Sequence, residues 1–306
     1  MTPSRDLAED QPSEAAGLKL LWEDDLRMSL YLSDSSRLTI LLLPASNLHS
    51  EPTPCLFSGA LEHDNGSVVA VSGCRESMET VVTISSGLVP GGLVDLVVSN
   101  GTTHIIGDDA SGTDRLMNPF YEDMIIPPAN LNPPAHHMAA KRALPNGVVL
   151  KTRIRYDNTL LRHFNDDRTL TRQWLSRVVE MAKPRLAHSS LNTKIQIELV
   201  GEMEHVHEDI QADETTIRAI SARNPRTSGV TSYFCSQLGG GTIGIAFLGT
   251  ACRQDGTAIN INELYTRTNS ELMTARVWVH ELGHNIGMRS VLWRFLKLYQ
   301  ISQTRL

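Results

Sequence analysis

His280, Glu281 and His284 carry the clearest chemistry in this 306-residue chain, and they stand within Val277–Met288, VWVHELGHNIGM. On a helix, residues four apart share a face, so both imidazoles can address one ion. Two imidazoles at this spacing suit zinc, and a carboxylate directly after the first is placed to take a proton from water beside the metal. Gly287 follows three residues after His284. A glycine at that point lets a helix end in the left-handed conformation and the chain turn sharply.

Such a helix needs a scaffold. The length fits two domains of roughly 150 residues, each able to bury a core. A composition 41% hydrophobic and 20% charged is that of an ordinary globular protein. The net charge of −6 gives no general attraction for nucleic acid or acidic lipid. No run approaches the ~18 apolar residues of a membrane span. Residues 1–17 are polar and acidic, are expected to be disordered, and lack the apolar core of a secretory signal.

Residues 18–107 show short apolar runs between turn residues. Leu38–Leu43, Leu56–Leu61, Val68–Val71, Val81–Ser85 and Leu93–Val98 read as strands of an antiparallel β-rich domain. Residues 108–147 hold six prolines and the dibasic Lys141-Arg142, and read as a linker. The basic pair is either a processing site or two solvated charges. From Val148 to Met288 strand and helix alternate, giving an α/β domain with a mixed sheet. Helices are expected over Leu170–Ala182, ended by Pro184, over Asp213–Ala222, capped by Asp213, and over Glu271–Met288. The basic, apolar tail at 289–306 stands apart, and no membrane contact is expected of it.

Four cysteines form two local couples, Cys55 with Cys74 and Cys235 with Cys252. Two short disulfides suit them, although four cysteines allow three pairings and four reduced thiols stand as the alternative. The sequons at Asn65 and Asn100 fall in polar, Gly-containing turns where a glycan fits. Together these features favour an extracellular location. His205 and His207, two apart in GEMEHVHED, read as a charged surface turn rather than a second metal site.

Val277–Met288 closely resembles the active-site segment of the reprolysin metalloproteases, the ADAM, ADAMTS and snake-venom enzymes of the metzincin clan. GIAFLGTAC and GTAININEL resemble that family's substrate-edge strand and the approach to its active-site helix, and residues 35–128, notably CLFSGALEHDNGSVVAVSGC and YEDMIIPP, resemble its propeptide. The resemblance implies an N-terminal antiparallel β-rich propeptide domain, then an α/β metzincin-like catalytic domain with an active-site helix, its C-terminal subdomain truncated or replaced. It implies a secreted zymogen that hydrolyses peptide bonds in extracellular proteins with one zinc. His280 and His284 would be ligands, and Glu281 the base that activates zinc-bound water. Thr242, Ile243, Gly244, Ile245 and Ala246 would hold an extended substrate by main-chain hydrogen bonds.

The chain departs from the family pattern H-E-x-x-H-x-x-G-x-x-H at its end, with Ser290 in place of the third histidine. Residues 285–306 contain no His, Asp, Glu or Cys, so no substitute ligand follows. Met288 lies too early to be the family's methionine turn, and 101–147 contains no cysteine to mask a zinc. Two expectations follow: an active zinc endopeptidase, or a catalytically impaired reprolysin-like protein that binds partners.

Overall fold

A computed structural model describes residues 19–33, 36–45, 53–106, 124–126, 147–188, 191, 194–224, 228–236, 242–264 and 270–288. The first part is a meander of β1 (Lys19–Asp24), β2 (Arg27–Ser33), β3 (Ser36–Pro44), β4 (Leu56–Leu61), β5 (Asp64–Ser72), β6 (Glu79–Ser85), β7 (Leu93–Ser99) and β8 (Thr102–Ile105). Each strand pairs antiparallel with the next. The first and last strands approach each other, and Leu20 N–H donates to Thr103 Oγ1 at 3.0 Å. The sheet therefore curls almost to closure, which removes much of the exposed edge of an open sheet. The β-rich N-terminal domain expected from the alternation is present.

Side-chain alternation divides this sheet into two faces. Val82, Ile84, Val94 and Leu96 join Leu20, Met28, Leu30 and Ile40 in an enclosed apolar cluster. Their neighbours Val81 and Val97, with Ala70, turn the other way and join the core of the second part. The Cys55–Cys74 disulfide staples the chain just before β4 to the loop after β5. Asn65 and Asn100 are exposed, at the β4–β5 and β7–β8 hairpins.

The second part holds β10 (Val148–Tyr156), α1 (Asn158–His163), α2 (Arg168–Leu186), β11 (Ile195–Leu199), β12 (Glu204–His205), α3 (Glu214–Arg223), β13 (Val230–Cys235), β14 (Gly244–Phe247), β15 (Ile259–Glu263) and α4 (Ser270–Asn285). With β9 (Met124–Ile126) its strands form a mixed sheet in the order β11-β10-β13-β15-β14-β9, and β12 pairs with the end of β10. Only the β14–β15 pair is antiparallel among these described strands. One face packs under α2 and α4 through Trp174, Val178, Leu272, Trp278 and Leu282. The other face packs Tyr233, Ile245, Phe247, Ile259 and Ile261 against Ile217 and Ile220 of α3.

The start of α3 follows its sequence signal at Asp213. Asp157, Asp167 and Asp213 accept the free amides of the first turns of α1, α2 and α3. One stop does not. Pro184 lies inside α2, which runs on to Leu186. Proline removes one donor in the last turn, and there the Arg185 guanidinium reaches back to the Met181 carbonyl at 2.5 Å. A second correction concerns Cys235 and Cys252, which are not joined and remain thiols. Cys235 ends a central strand with its Sγ 3.7 Å from the Asn262 carbonyl oxygen, whereas Cys252 is exposed in the turn after β14.

The two parts meet at a buried carboxylate. Asp95 on the outer face of β7 accepts from Thr83 Oγ1 at 2.7 Å, from Arg276 of α4 at 2.8 Å and from Arg185 of α2. Arg276 also donates to the Ile106 carbonyl at 3.0 Å. Burial alone would raise the Asp95 pKa; the two guanidiniums and the hydroxyl outweigh it and hold the carboxyl below the usual range. At the periphery, Lys194 Nζ donates to the Gly66 carbonyl at 2.7 Å.

Candidate metal centre

Helix α4 is fixed before its ligands are reached. Trp278 is fully buried, donates its Nε1–H to Ser232 Oγ at 2.8 Å and meets Phe234 edge to face. Truncating such a residue costs about 3–5 kcal/mol, so this contact sets the helix on β13 firmly. The next turns carry His280, Glu281 and His284.

The C-terminal end of α4 aims the second imidazole. Gly287 has φ +96°, the left-handed region. Its N–H bonds to the His284 carbonyl at 2.9 Å, and Met288 N–H bonds to the Gly283 carbonyl at 2.8 Å. These two bonds are the paired closures of a Schellman end, as Gly287 in the sequence implied. The turn brings the Met288 carbonyl oxygen within 2.8 Å of His284 Nδ1. Nδ1 must then carry the proton and donate it, which leaves Nε2 with an available lone pair. His284 Nε2 lies 3.0 Å from His280 Nε2. Two ligand nitrogens on one tetrahedral zinc, each about 2.0–2.1 Å from it, stand only slightly further apart.

Asn285 locks this end to the sheet. Its Nδ2 donates to the carbonyls of Phe247 and Ile259, both at 3.0 Å, and lies 3.2 Å from Thr250 Oγ1. Its Oδ1 accepts from Asn260 at 2.7 Å, and Asn260 in turn accepts from Asn262 at 2.7 Å. The backbone adds Gly249 N–H to the His284 carbonyl and Ala251 N–H to the Asn285 carbonyl, each at 2.8 Å. The turn after β14 therefore caps the helix that carries the histidines.

Glu281 is buried, and β14 makes room for it. A Cβ added at Gly244 would lie 2.5 Å from Glu281 Oε1 and 2.8 Å from its Cγ. Glycine at this position lets the strand approach the carboxylate. Of the other expected substrate-edge residues, Ile245 and Ala246 lie on β14, and Thr242 and Ile243 lead into it. The outer side of β14 is not open. It pairs in parallel with β9, Ile245 with Met124, Ala246 with Ile125 and Phe247 with Ile126.

The two histidines fit an ion's first two positions. Among the described residues no group of three or more His, Cys, Asp or Glu side chains comes together, so a third protein ligand is not among them. Ser290 and the tail, Lys141-Arg142 and residues 1–17 lie outside the described residues. His205 ends β12, which pairs with β10, and His207 follows two residues later. His205 is half-buried, stacks on Tyr156 and bonds Asn158 Oδ1 at 3.0 Å, which gives it a packing role. The surface turn expected there has His205 folded partly inward.

No protein-family model matches the chain, and no curated protein matches it. Among solved structures it is similar to one titled "Structure of a chaperone-substrate complex", at 11% identity and a TM-score of 0.34, over 67% of this chain and 27% of that one. The chain thus spans about a quarter of that structure's length, and a likeness this low carries no inference about fold or function.

Proposed function

We propose that this chain is a zinc metalloendopeptidase of reprolysin type, acting on extended segments of extracellular proteins. The observation that carries the reading is the approach of His280 Nε2 to His284 Nε2 at 3.0 Å, with the tautomer of His284 set by the Met288 carbonyl. Zinc held by this pair supplies a Lewis acid that lowers the pKa of water toward about 7. Glu281, one residue from the first ligand and packed against Gly244, takes up the proton that water loses and passes it to the leaving amine. β14 lies beside Glu281, and a scissile peptide aligned on it by main-chain hydrogen bonds takes the place that β9 holds at its outer edge.

A second reading is favoured by the lack of a third ligand among the described residues: a reprolysin-like protein that binds partners and turns them over poorly. Zinc titration and cleavage of a quenched fluorescent peptide library separate the two. The peptidase reading expects one zinc per chain, loss of zinc in His280→Ala, and chelator-sensitive cleavage that Glu281→Gln abolishes while zinc stays bound. Zinc affinity equal in the native chain and in His280→Ala rules it out. Stoichiometric zinc without Glu281-dependent cleavage supports the second reading.

A further inference from the structure

We infer that His205 is a proton-operated catch: as a neutral imidazole it holds residues 204–210 against β10 and α1, and on taking up its second ring proton in mild acid it lets them go. The inference stands apart from the peptidase reading and needs neither zinc nor turnover.

Few bonds hold this segment down. Glu204 and His205 pair with Arg155 and Tyr156 at the end of β10. Val206 N–H donates to the Tyr156 carbonyl at 2.8 Å, Asn158 N–H to the Glu208 carbonyl at 3.1 Å, and Ile210 N–H to Asp157 Oδ2 at 2.8 Å. Beneath these bonds Ile210 and Ala212 are buried, and Val206 packs beside them in the apolar cluster of α3. Release of the segment therefore exposes apolar surface by a local opening, with the rest of the sheet intact.

Asn158 fixes which nitrogen of His205 carries the proton. Its side chain hydrogen-bonds the Asp209 carboxylate, which only accepts, so its Nδ2 faces Asp209 and its Oδ1 faces His205. His205 Nε2, 3.0 Å from that oxygen, is then the donor. A second proton has to go on Nδ1, which is buried and has no hydrogen-bond partner among the described residues. The ring stacks on Tyr156, and His207 stands edge to face with it at 4.5 Å between centroids. The nearby carboxylates are already engaged: Glu204 by Arg155, Glu208 by Arg223, Asp209 by Arg162, and Asp157 by Thr159 and the amides of Leu160 and Ile210. From α2, Arg172 faces Glu202 and Arg168 adds a positive charge. Burial first, then the charges of His207 and Arg168, hold the His205 pKa below the usual histidine range. The released segment takes the proton at the ordinary value of about 6.5 and the held segment only at lower pH. The contribution of the catch is therefore full above about pH 6.5 and is lost as pH falls through the folded value.

The test follows hydrogen exchange of the Asn158, Val206 and Ile210 amides in the full chain at pH 7.5 and pH 5, corrected for intrinsic exchange and referred to the amides of β13. In the native chain the protection of these three should fall about tenfold in acid while β13 holds. His205→Gln keeps a donor for Asn158, and His205→Phe keeps a ring on Tyr156. Neither side chain titrates, and at least one variant should retain its pH 7.5 protection at pH 5 to within about twofold. Equal protection at both pH values in the native chain would overturn the inference. So would a fall that persists in both variants, which would trace it to Asp157 or another carboxylate. Protection already lost at pH 7.5 in both variants would overturn it too, since His205 would then act by packing alone. In His207→Gln the fall should survive, though smaller, because Nδ1 of His205 still lacks a partner; its complete disappearance would move the catch to His207.

Discussion

The cluster enclosed by the first sheet is built from Leu20, Met28, Leu30, Ile40, Leu42, Val82, Ile84 and Leu96, whereas the second sheet carries Asn260 and Asn262 at its centre and ties them to Asn285 of α4. An apolar interior is held by area and shape, which many side-chain sets can satisfy. A buried amide chain is different, because its donors and acceptors must meet at fixed positions and directions and an error leaves a polar group stranded. The first sheet needs only to keep its form. The second must hold the end of α4 so that two imidazole nitrogens stand 3.0 Å apart, and the amide chain supplies that directional restraint. Where the first sheet does bury charge, at Asp95, it does so on its outer face and toward the second.

Breaking that one polar contact should give the largest effect. Asp95→Ala leaves Arg185 and Arg276 without their carboxylate and should destabilise the chain by about 3–5 kcal/mol, read from urea unfolding at pH 7. The pH dependence has a definite sign. The folded Asp95 pKa is depressed, so its contribution is present above the unfolded value of about 3.9 and is lost as pH falls through the lower folded value. The gap between native chain and variant should therefore hold from pH 7 to about pH 5 and close only in stronger acid. Asn285→Ala comes next, at about 2–3 kcal/mol, since it leaves several buried partners unsatisfied. It should also weaken zinc binding by about tenfold, which isothermal titration would measure. An apolar swap inside the first sheet, Ile84→Val, should cost only about 1 kcal/mol and leave zinc binding unchanged.

Much of this was legible in local sequence. Alternation located β3 to β7, Asp213 before α3 is a short-range cap, and Gly287 marked the left-handed end of α4 because only a few residues decide that geometry. The H-E-x-x-H spacing placed both histidines on one helical face for the same reason. Contacts made across the chain were illegible. Asp95 reads as a polar break in an apolar strand until Arg185 and Arg276, 90 and 181 positions away, fold against it. Asn285 looks like a neutral neighbour of a ligand, and its role appears only when Phe247 and Ile259 bring their carbonyls to it. Met124–Ile126 lies in Pro-rich sequence that reads as linker, and its pairing depends on an edge supplied by β14. Cys235 and Cys252 are close in sequence, but strand geometry buries one thiol and exposes the other.

The cap on α4 tests the link between backbone and site at smaller scale. Gly287→Ala forces a Cβ into the left-handed region and should cost about 1–2 kcal/mol in thermal unfolding. Because the same turn presents the Met288 carbonyl to His284 Nδ1, zinc affinity should fall with it. A loss of stability with unchanged zinc affinity would separate the cap from the orientation of the imidazole.

The smallest effect should have the opposite sign, and it lies on the second sheet. Glu263 at the end of β15 is desolvated by burial, which raises its pKa to about 7; a hydrogen bond from the Ala212 backbone N–H opposes the rise and the charge of Asp157 adds to it. A carboxyl whose folded pKa lies above its unfolded value of about 4.3 holds its proton in the native state while the unfolded chain releases it. Stability therefore falls as pH rises from about 4.5 to 7 and stays at the lower level above that. Glu263→Gln keeps the shape and an acceptor for Ala212 but removes the titration. It should raise the melting temperature by about 2–4 °C at pH 8, a gain on the order of 1 kcal/mol for a chain of this size. The gain should shrink toward zero at pH 5, where the native Glu263 is already neutral. A gain of equal size at both values would show that burial of this carboxyl does not limit the second sheet, and that its central polarity is confined to the amide chain beneath the histidines.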